Sequence, residues 1–567
     1  MKQVLFVITL FLVLFCSVEN VQSEIKDITL LNEYKFIPNK ILNSIDFYDF
    51  YKVPEIALSL TFFQNELDKK KSSGYLGLNF NAPFLFKVIS VDESPLPEFI
   101  FECSLDNLEK FKTIIETLSM SSITVSPVSG RQNYYVISSN PDQQNVKTKK
   151  IYFPFLVVNS RMYVYGDILS FMSDNNETGI IKEKKLTDKE KLGRAADILD
   201  LVSKKSSEYS ASKYIGDAVK LNDQDILLYL FTNISGSYLN NLYGSFKLEF
   251  LKQFMDNNTI DKQVMVIRKF SKQVKVENFV FNNKAESGEK SNILNFESKI
   301  NELIESNVLA YFTASGDISG LKKIISDRNI EPELLKEYIL KTIDNVEKNI
   351  IFYINSIDKA PSIDLKNAVK NIESYPITIL FEVSSPEQIS DSMDDIAKLY
   401  PDAIKIKNNN FSKIIEIRTD SGQVNFYSDF IDYGSKYMIL TSSEKELNRL
   451  KQISKEEVKK EAGLNSFIKY AKNKKILPEA ETNSFYYIDL KQVLKYANKE
   501  LKKSGIILNN TLTDYLTDKY DNVRGYIKND NGIFYQNITV EMIKNIDFVQ
   551  IYNILKSGQN QTSVQKK

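Results

Sequence analysis

Not one histidine occurs among the 567 residues, and tryptophan is absent as well. Without imidazole the chain has neither the commonest general base near neutral pH nor the commonest metal ligand. Ser-His-Asp and Cys-His hydrolases, His-bearing zinc sites and two-His-one-carboxylate iron sites are thereby excluded. Cysteine is nearly as scarce, with only Cys16 and Cys103, so thiolate zinc and iron-sulfur clusters have no ligand set. Neither a Gly-x-x-x-x-Gly-Lys-Ser/Thr loop nor a Gly-x-Gly-x-x-Gly turn opens a helix, which removes nucleotide from the expected partners. An excess of charge of one sign is missing too: 73 basic side chains balance 73 acidic ones. No basic field exists to hold a phosphate backbone, and nucleic acid is not an expected partner. On this reading the chain uses no cofactor and no metal.

Long apolar runs are also missing, except one. Lys2 precedes the stretch from Val4 to Cys16, which has the length of a signal-peptide core and falls short of a membrane span. Val21-Gln22-Ser23 places modest side chains where a signal peptidase reads, so cleavage between Ser23 and Glu24 is expected. Cys16 offers a lipidation alternative, opposed by the bulky Phe15 just before it. The expected location is therefore outside the cytoplasm: periplasm, outer surface or extracellular space. Once residues 1–23 are removed, Cys103 is the only cysteine and no internal disulfide can form. It ends the apolar run Phe99–Cys103, which suits a buried, inert thiol.

The remaining apolar residues fall into recurring patterns. Phe99–Cys103 reads as a strand, turns at Ser104 and continues as a helix whose Leu108, Phe111, Ile115 and Leu118 recur every three or four residues. Ile377–Val383 does the same, turning at Ser384-Ser385-Pro386 ahead of Ile389, Met393, Ile396 and Leu399. Phe101-Glu102-Cys103-Ser104 matches Phe381-Glu382-Val383-Ser384, and Ser385 with Pro386 spells an N-cap and first helical residue. Strands follow at Tyr134–Ser138 and Ile414–Arg418, then hairpins turning at Asn159-Ser160 and Gly434-Ser435. A second kind of strand, leading toward a helix, recurs at Ile226–Phe231, Val308–Phe312 and Phe485–Leu490. Val264–Ile267 with Phe279–Phe281 forms a ribbon, and Asn531-Gly532 marks a tight hairpin. Thr187-Asp188-Lys189-Glu190 spells a capping box, and Pro332–Asn349 reads as one amphipathic helix.

The fold class expected is α+β, in repeated units of mostly antiparallel sheet with helices packed on one face. The chain divides into a signal at 1–23, a first strand-helix-strand unit at 24–180 and a middle unit with amphipathic helices at 181–350. A second copy of the first unit follows at 351–470, then a strand-helix-hairpin unit at 471–545 and a polar tail at 546–567. This alternation, clearest in Ser484–Leu490 and the closing Asn529–Ile533 hairpin, resembles a family of exported bacterial proteins of unknown function built from strand-helix-hairpin modules. The resemblance implies export and a modular fold, and brings no catalytic residues with it.

Two catalytic spellings are set aside. Ser210-Ala211-Ser212-Lys213 and Ser173-Asp174-Asn175 match motifs of penicillin-recognising enzymes, but in the wrong order and without a Lys-Thr-Gly. Asn529-Asp530-Asn531-Gly532 has oxygen ligands without the rest of a calcium loop. Asp489, ending an apolar strand, is a candidate acid whose blander role is a helix cap. No catalytic residue is assigned. The expected function is an exported, non-catalytic envelope or surface protein that binds or scaffolds, with an envelope protein or lipid as partner. A carrier of an apolar ligand such as lipid would need an apolar cavity; a carboxylate-dependent hydrolase would need two convergent acids, one with a raised pKa.

Overall fold

The computed structural model describes residues 28–44, 74–75, 77–92, 97–119, 123–139, 152–167, 188–216, 219, 225–233, 260–270, 272–282, 293–296, 298–315, 322, 325–326, 333–356, 375–409, 412–419, 422–454, 466–479, 481–503, 507–530, 533–544, 547 and 549–556. Cys16, Ser23, Glu24, Ser173–Asn175, Thr187, Asn531 and Gly532 lie outside the described residues. The chain splits into two compact units, divided around residues 270–286. The expected middle segment, 181–350, supplies strands to both.

The N-terminal unit contains strands β1 (Ile28–Phe36), β2 (Phe84–Val91), β3 (Glu98–Ser104), β4 (Ile123–Pro127), β5 (Tyr134–Ser139), β6 (Tyr152–Val158), β7 (Arg161–Asp167), β8 (Ile226–Asn233), β9 (Ile260–Phe270) and β10 (Gln273–Asn282). Its helices are α1 (Pro38–Ser44), α2 (Leu108–Leu118), α3 (Asp188–Lys204) and α4 (Ala211–Ile215). Antiparallel pairings run β4-β5-β6-β7-β3-β2-β1-β8-β9, with β10 following as the second half of the expected ribbon.

The C-terminal unit contains β11 (Val308–Ser315), β12 (Val346–Asn355), β13 (Ile377–Val383), β14 (Ile404–Asn409), β15 (Ser412–Thr419), β16 (Gly422–Asp432), β17 (Lys436–Thr441), β18 (Ser484–Ile488), β19 (Tyr520–Asp530) and β20 (Ile533–Met542). Its helices are α5 (Glu333–Ile343), α6 (Pro386–Leu399), α7 (Glu444–Ile453), α8 (Phe467–Asn473), α9 (Leu490–Lys503) and α10 (Ile507–Thr517). The pairings run β14-β15-β16-β17-β13-β12-β11-β18-β19-β20. That order is the first unit's with ten added to every strand. The register agrees in the central strands, where Phe101 stands opposite Phe86 and Phe381 opposite Ile350. It slips by one residue at the expected hairpin match: Phe101 pairs with Val164 and Phe381 with Met438, whereas the sequence aligns Val164 with Ile439, because the first turn spans two residues and the second three.

Both hairpins turn where expected. Asn159 and Ser160 take φ of 50° and 60°, the paired left-handed conformation that matches strand twist. Gly434 takes φ 83° in the other.

The α+β class is observed, but the single helical face is not. Successive strand residues point to opposite faces, and the cores sort by that alternation. In the N-terminal unit Phe111 of α2 packs with Cys103, Phe155 and Met162, whereas Ala196, Leu199 and Val202 of α3 pack with Ile100, Leu156 and Tyr163. In the C-terminal unit Ile389 of α6 packs with Val383 and Met438, and Leu447 and Leu450 of α7 pack with Leu380 and Ile439. Each sheet is thus covered on both sides, because both faces of its central strands are apolar. The expected helix Pro332–Asn349 ends at Ile343, and β12 takes over at Val346. The run Asn349-Ile350-Ile351-Phe352-Tyr353-Ile354 favours strand once a neighbour supplies ladder bonds. Strands β1, β2, β4 and β14 have no counterpart in the sequence-based reading; β4 and β14 are short, and β14 is largely polar.

Candidate functional site

Two pockets stand out, one in each unit and on different faces of their sheets. The first, in the C-terminal unit, is an apolar cavity of about 300 Å³ between α5, α6 and the sheet. Its walls are Ile343 of α5, Val346 and Ile350 of β12, Phe381 of β13, Ile389 and Met393 of α6, Ile415 of β15, and Met438 and Leu440 of β17. Thr342 is the one polar lining residue, and its hydroxyl already donates to Tyr338 O at 2.8 Å. Helix α5 contains Leu335, Ile339 and Ile343 yet has no buried residue. An amphipathic helix ordinarily buries its apolar stripe; here the stripe is only half-buried, and its last residue, Ile343, overlooks the gap.

The corresponding space in the N-terminal unit is full. Phe155 is fully buried, stacks on Tyr135 at 5.2 Å between ring centroids and meets Phe111 edge-on at 6.1 Å. Phe84 packs edge-on against both Phe80 and Phe101 at 5.5 Å. Aromatic edges and faces fill space that Ile and Met leave open opposite.

The second pocket, about 240 Å³, lies in the N-terminal unit on the α3 side of the sheet. Glu33 of β1 and Lys87 of β2 are directly opposite in register, and Glu102 of β3 lies beside them; all three are at most 2% exposed. Lys87 Nζ is 3.8 Å from Glu33 Oε2 and 3.4 Å from Glu102 Oε2. The Tyr229 hydroxyl donates to Glu33 Oε1, the Ala211 amide donates to the same oxygen at 3.4 Å, and Arg161 donates to Glu102 Oε1 at 2.8 Å. The other two carboxylate oxygens, Glu33 Oε2 and Glu102 Oε2, are buried and accept no hydrogen bond. Ser206, Ser207, Ser210 and Ser212, from the segment joining α3 to α4 and the start of α4, close the pocket.

Burial sets the electrostatics. Desolvation raises the Glu33 carboxyl above its ordinary value despite Lys87 and Tyr229, which pull it down. Burial and the Glu33 charge raise the Tyr229 phenol. Burial, with Glu102 adding, pushes the Cys103 thiol up to about 12. That thiol is free and buried, the inert cysteine that the sequence suggested. Two convergent acids, one of them raised, are the requirement set out for a hydrolase; an ammonium stands between them.

Other sequence-based candidates scatter. Asp489 precedes α9 and its Oδ1 accepts the Gln492 amide at 2.8 Å, so it is a helix cap. Burial raises its carboxyl, and Asp521 adds to that. Ser210 sits at the N-cap of α4 without a side-chain cap bond, and Ser385 likewise caps α6 by position alone. Glu33, Lys87 and Tyr229 were not singled out from the sequence. The signal was present as single charges inside apolar strand runs, Leu31-Asn32-Glu33-Tyr34 and Phe84-Leu85-Phe86-Lys87-Val88-Ile89.

Among the described residues no group of three or more Cys, Asp or Glu is placed to hold a metal ion. No helix among them is long and apolar enough to cross a membrane. No protein-family model matches the chain, and no curated protein is detectably similar in sequence. One solved structure, of TP0453 in its crystal form I, is similar over 47% of this chain and 99% of its own, at 10% identity and a TM-score of 0.18. A superposition that loose transfers neither fold nor function.

Proposed function

We propose that the protein is exported to the cell envelope, works by binding rather than catalysis, and carries an apolar ligand such as a lipid acyl chain in its C-terminal unit. On this reading its two units are copies of one strand-helix-hairpin module, of the exported bacterial kind that the sequence resembles, and only the second copy keeps its helix-sheet gap open. The Lys2-to-Ser23 segment supports export.

The observation that carries the reading is the apolar cavity beneath α5 and α6. Binding sites for small molecules begin near 300 Å³. Its walls hold no charged group and no free polar donor, so nothing in it could orient a polar substrate. Met393 and Met438 are flexible enough to follow a chain of variable conformation. Each methylene moved from water into such a site contributes about 0.8 kcal/mol.

The test is titration of the mature protein with a fluorescent fatty acid. Saturable binding at one site per chain is expected, with micromolar affinity. Ile350→Phe places a ring in the cavity and is expected to weaken binding at least tenfold. Absence of saturable binding, or binding unaffected by that variant, would overturn the proposal.

A further inference from the structure

We propose that the N-terminal unit holds a separate site for a small, neutral, hydroxyl-bearing molecule such as a monosaccharide or polyol, in the pocket formed by Glu33, Lys87 and Glu102 beneath the serine-rich α3–α4 segment. The inference does not rest on the apolar cavity, which lies in the other unit.

The groups themselves define the ligand. Glu33 Oε2 and Glu102 Oε2 are buried and accept no hydrogen bond, with only the Lys87 ammonium facing them at ion-pair distance, a state native proteins rarely leave unrelieved. Whatever enters must therefore donate hydrogen bonds. A cationic donor would meet Lys87, Lys35 and Arg161, all of which line the pocket. An anion would be attracted by those cations but would leave both carboxylate oxygens without a hydrogen bond and add a third negative charge beside them. A hydroxyl group resolves the conflict, because it donates to a carboxylate oxygen and accepts from the Lys87 ammonium at once. Neighbouring hydroxyls on one ligand match the alternation of acceptor, donor, acceptor that Glu33, Lys87 and Glu102 present at 3.8 and 3.4 Å spacings.

Size and mouth agree with this class. About 240 Å³ is below the range of drug-sized ligands and suits one ring or a short polyol. The lining includes the exposed Pro83 and half-buried Leu85, apolar surface on which a sugar's C–H face can rest, and the serines offer further hydroxyl partners. In the C-terminal unit the same cross-strand row contains Thr313 and Ile351 in place of Glu33 and Lys87, so the feature belongs to one unit alone.

The experiment is ligand-observed NMR and thermal shift on the full mature chain, with D-glucose, D-galactose and glycerol as probes and alanine and inorganic phosphate as charged comparators. At least one neutral probe is expected to bind with millimolar or tighter affinity and raise the melting temperature, while the comparators do neither. Ser212→Phe, at an exposed position on the rim, is expected to weaken binding at least tenfold without changing the unliganded melting temperature. Glu102→Gln, with one acceptor replaced by a donor, is expected to weaken it about fivefold. Failure of all three neutral probes, equal binding of the comparators, or binding indifferent to Ser212→Phe would each overturn the proposal. Release of nitrophenol from a nitrophenyl monosaccharide would uphold the site but overturn the non-catalytic reading, so the two can fail separately.

Discussion

The two units share one strand order and a matching central register yet fill their interiors in opposite ways. On the α3 face, a buried row crosses the first sheet as Phe231, Glu33, Lys87, Ile100 and Tyr165. The matching row in the second sheet is Phe485, Thr313, Ile351, Leu380 and Ile439. Topology therefore tolerates either an apolar centre or a charged one. On the other face the contrast reverses: aromatic rings close the first unit around Phe155, while aliphatic side chains leave the second open. Strand order depends on backbone ladders and on which face is apolar; what the core can bind depends on side chains that the ladder does not see.

Breaking the charged row should have the largest effect. Lys87→Ile, which copies Ile351, removes the cation between two buried carboxylates, leaving Glu102 with Arg161 and Glu33 with no cation at ion-pair distance among the described residues, and is expected to cost about 3–5 kcal/mol at pH 7. Adding Glu33→Thr, which completes the copy of the Thr313–Ile351 pair, should recover most of that loss, since a buried ion pair can be exchanged for well-packed neutral residues at little or no cost. Urea unfolding of the single and double variants measures both numbers. A double variant as unstable as the single one would show that the row is not interchangeable between the units.

Closing the cavity is the next comparison, with a smaller effect of opposite sign. Ile350 occupies the register position of Phe86: each stands opposite the phenylalanine of the shared Phe-Glu motif, Phe381 and Phe101. Ile350→Phe is expected to stabilise the C-terminal unit by about 0.5–1.5 kcal/mol, as cavity-filling substitutions commonly do, and to abolish the fatty-acid binding proposed above. Destabilisation instead would mean that the space is already committed and cannot accept a ring.

These contrasts also show what could be read in advance. Paired helix and strand patterns at Phe99–Leu118 and Ile377–Leu399 were legible because both periods are short and local. The shared Phe-Glu-x-Ser spelling even placed Phe101 and Phe381 at the same register position. The second helical face was not legible, since a central strand that is apolar on both sides reads the same whether one layer or two will cover it. Strand β12 was hidden because Val346 continues the helical spacing of Leu335, Ile339 and Ile343. Glu33 and Lys87 meet only once β1 pairs with β2, across a separation of more than fifty residues, so the pair has no local signature. The cavity had none either: it is defined by the smaller bulk of Ile350, Met393 and Met438, and their hydrophobicity is all that a sequence pattern registers.

The finest test of the comparison is the titration of Glu33, which has no ionisable counterpart at Thr313. Its folded pKa lies above its unfolded value near 4.5, so folding favours the protonated carboxyl. That contribution is fully present below the unfolded pKa and is lost as pH rises through the folded one. Glu33→Gln removes the titration while keeping a similar shape, and Lys87 keeps Glu102 as its partner. Relative to the wild type, the variant is expected to gain stability as pH rises from the unfolded pKa through the folded one and to hold that gain above it, whatever its absolute value, because groups common to both proteins cancel in the difference. Urea midpoints collected across that rise measure the slope. A flat difference would mean that Lys87 and the Tyr229 hydroxyl offset the burial of the Glu33 charge, and a falling one that they more than offset it; either would leave the charged row as comfortable as its apolar counterpart in the other unit.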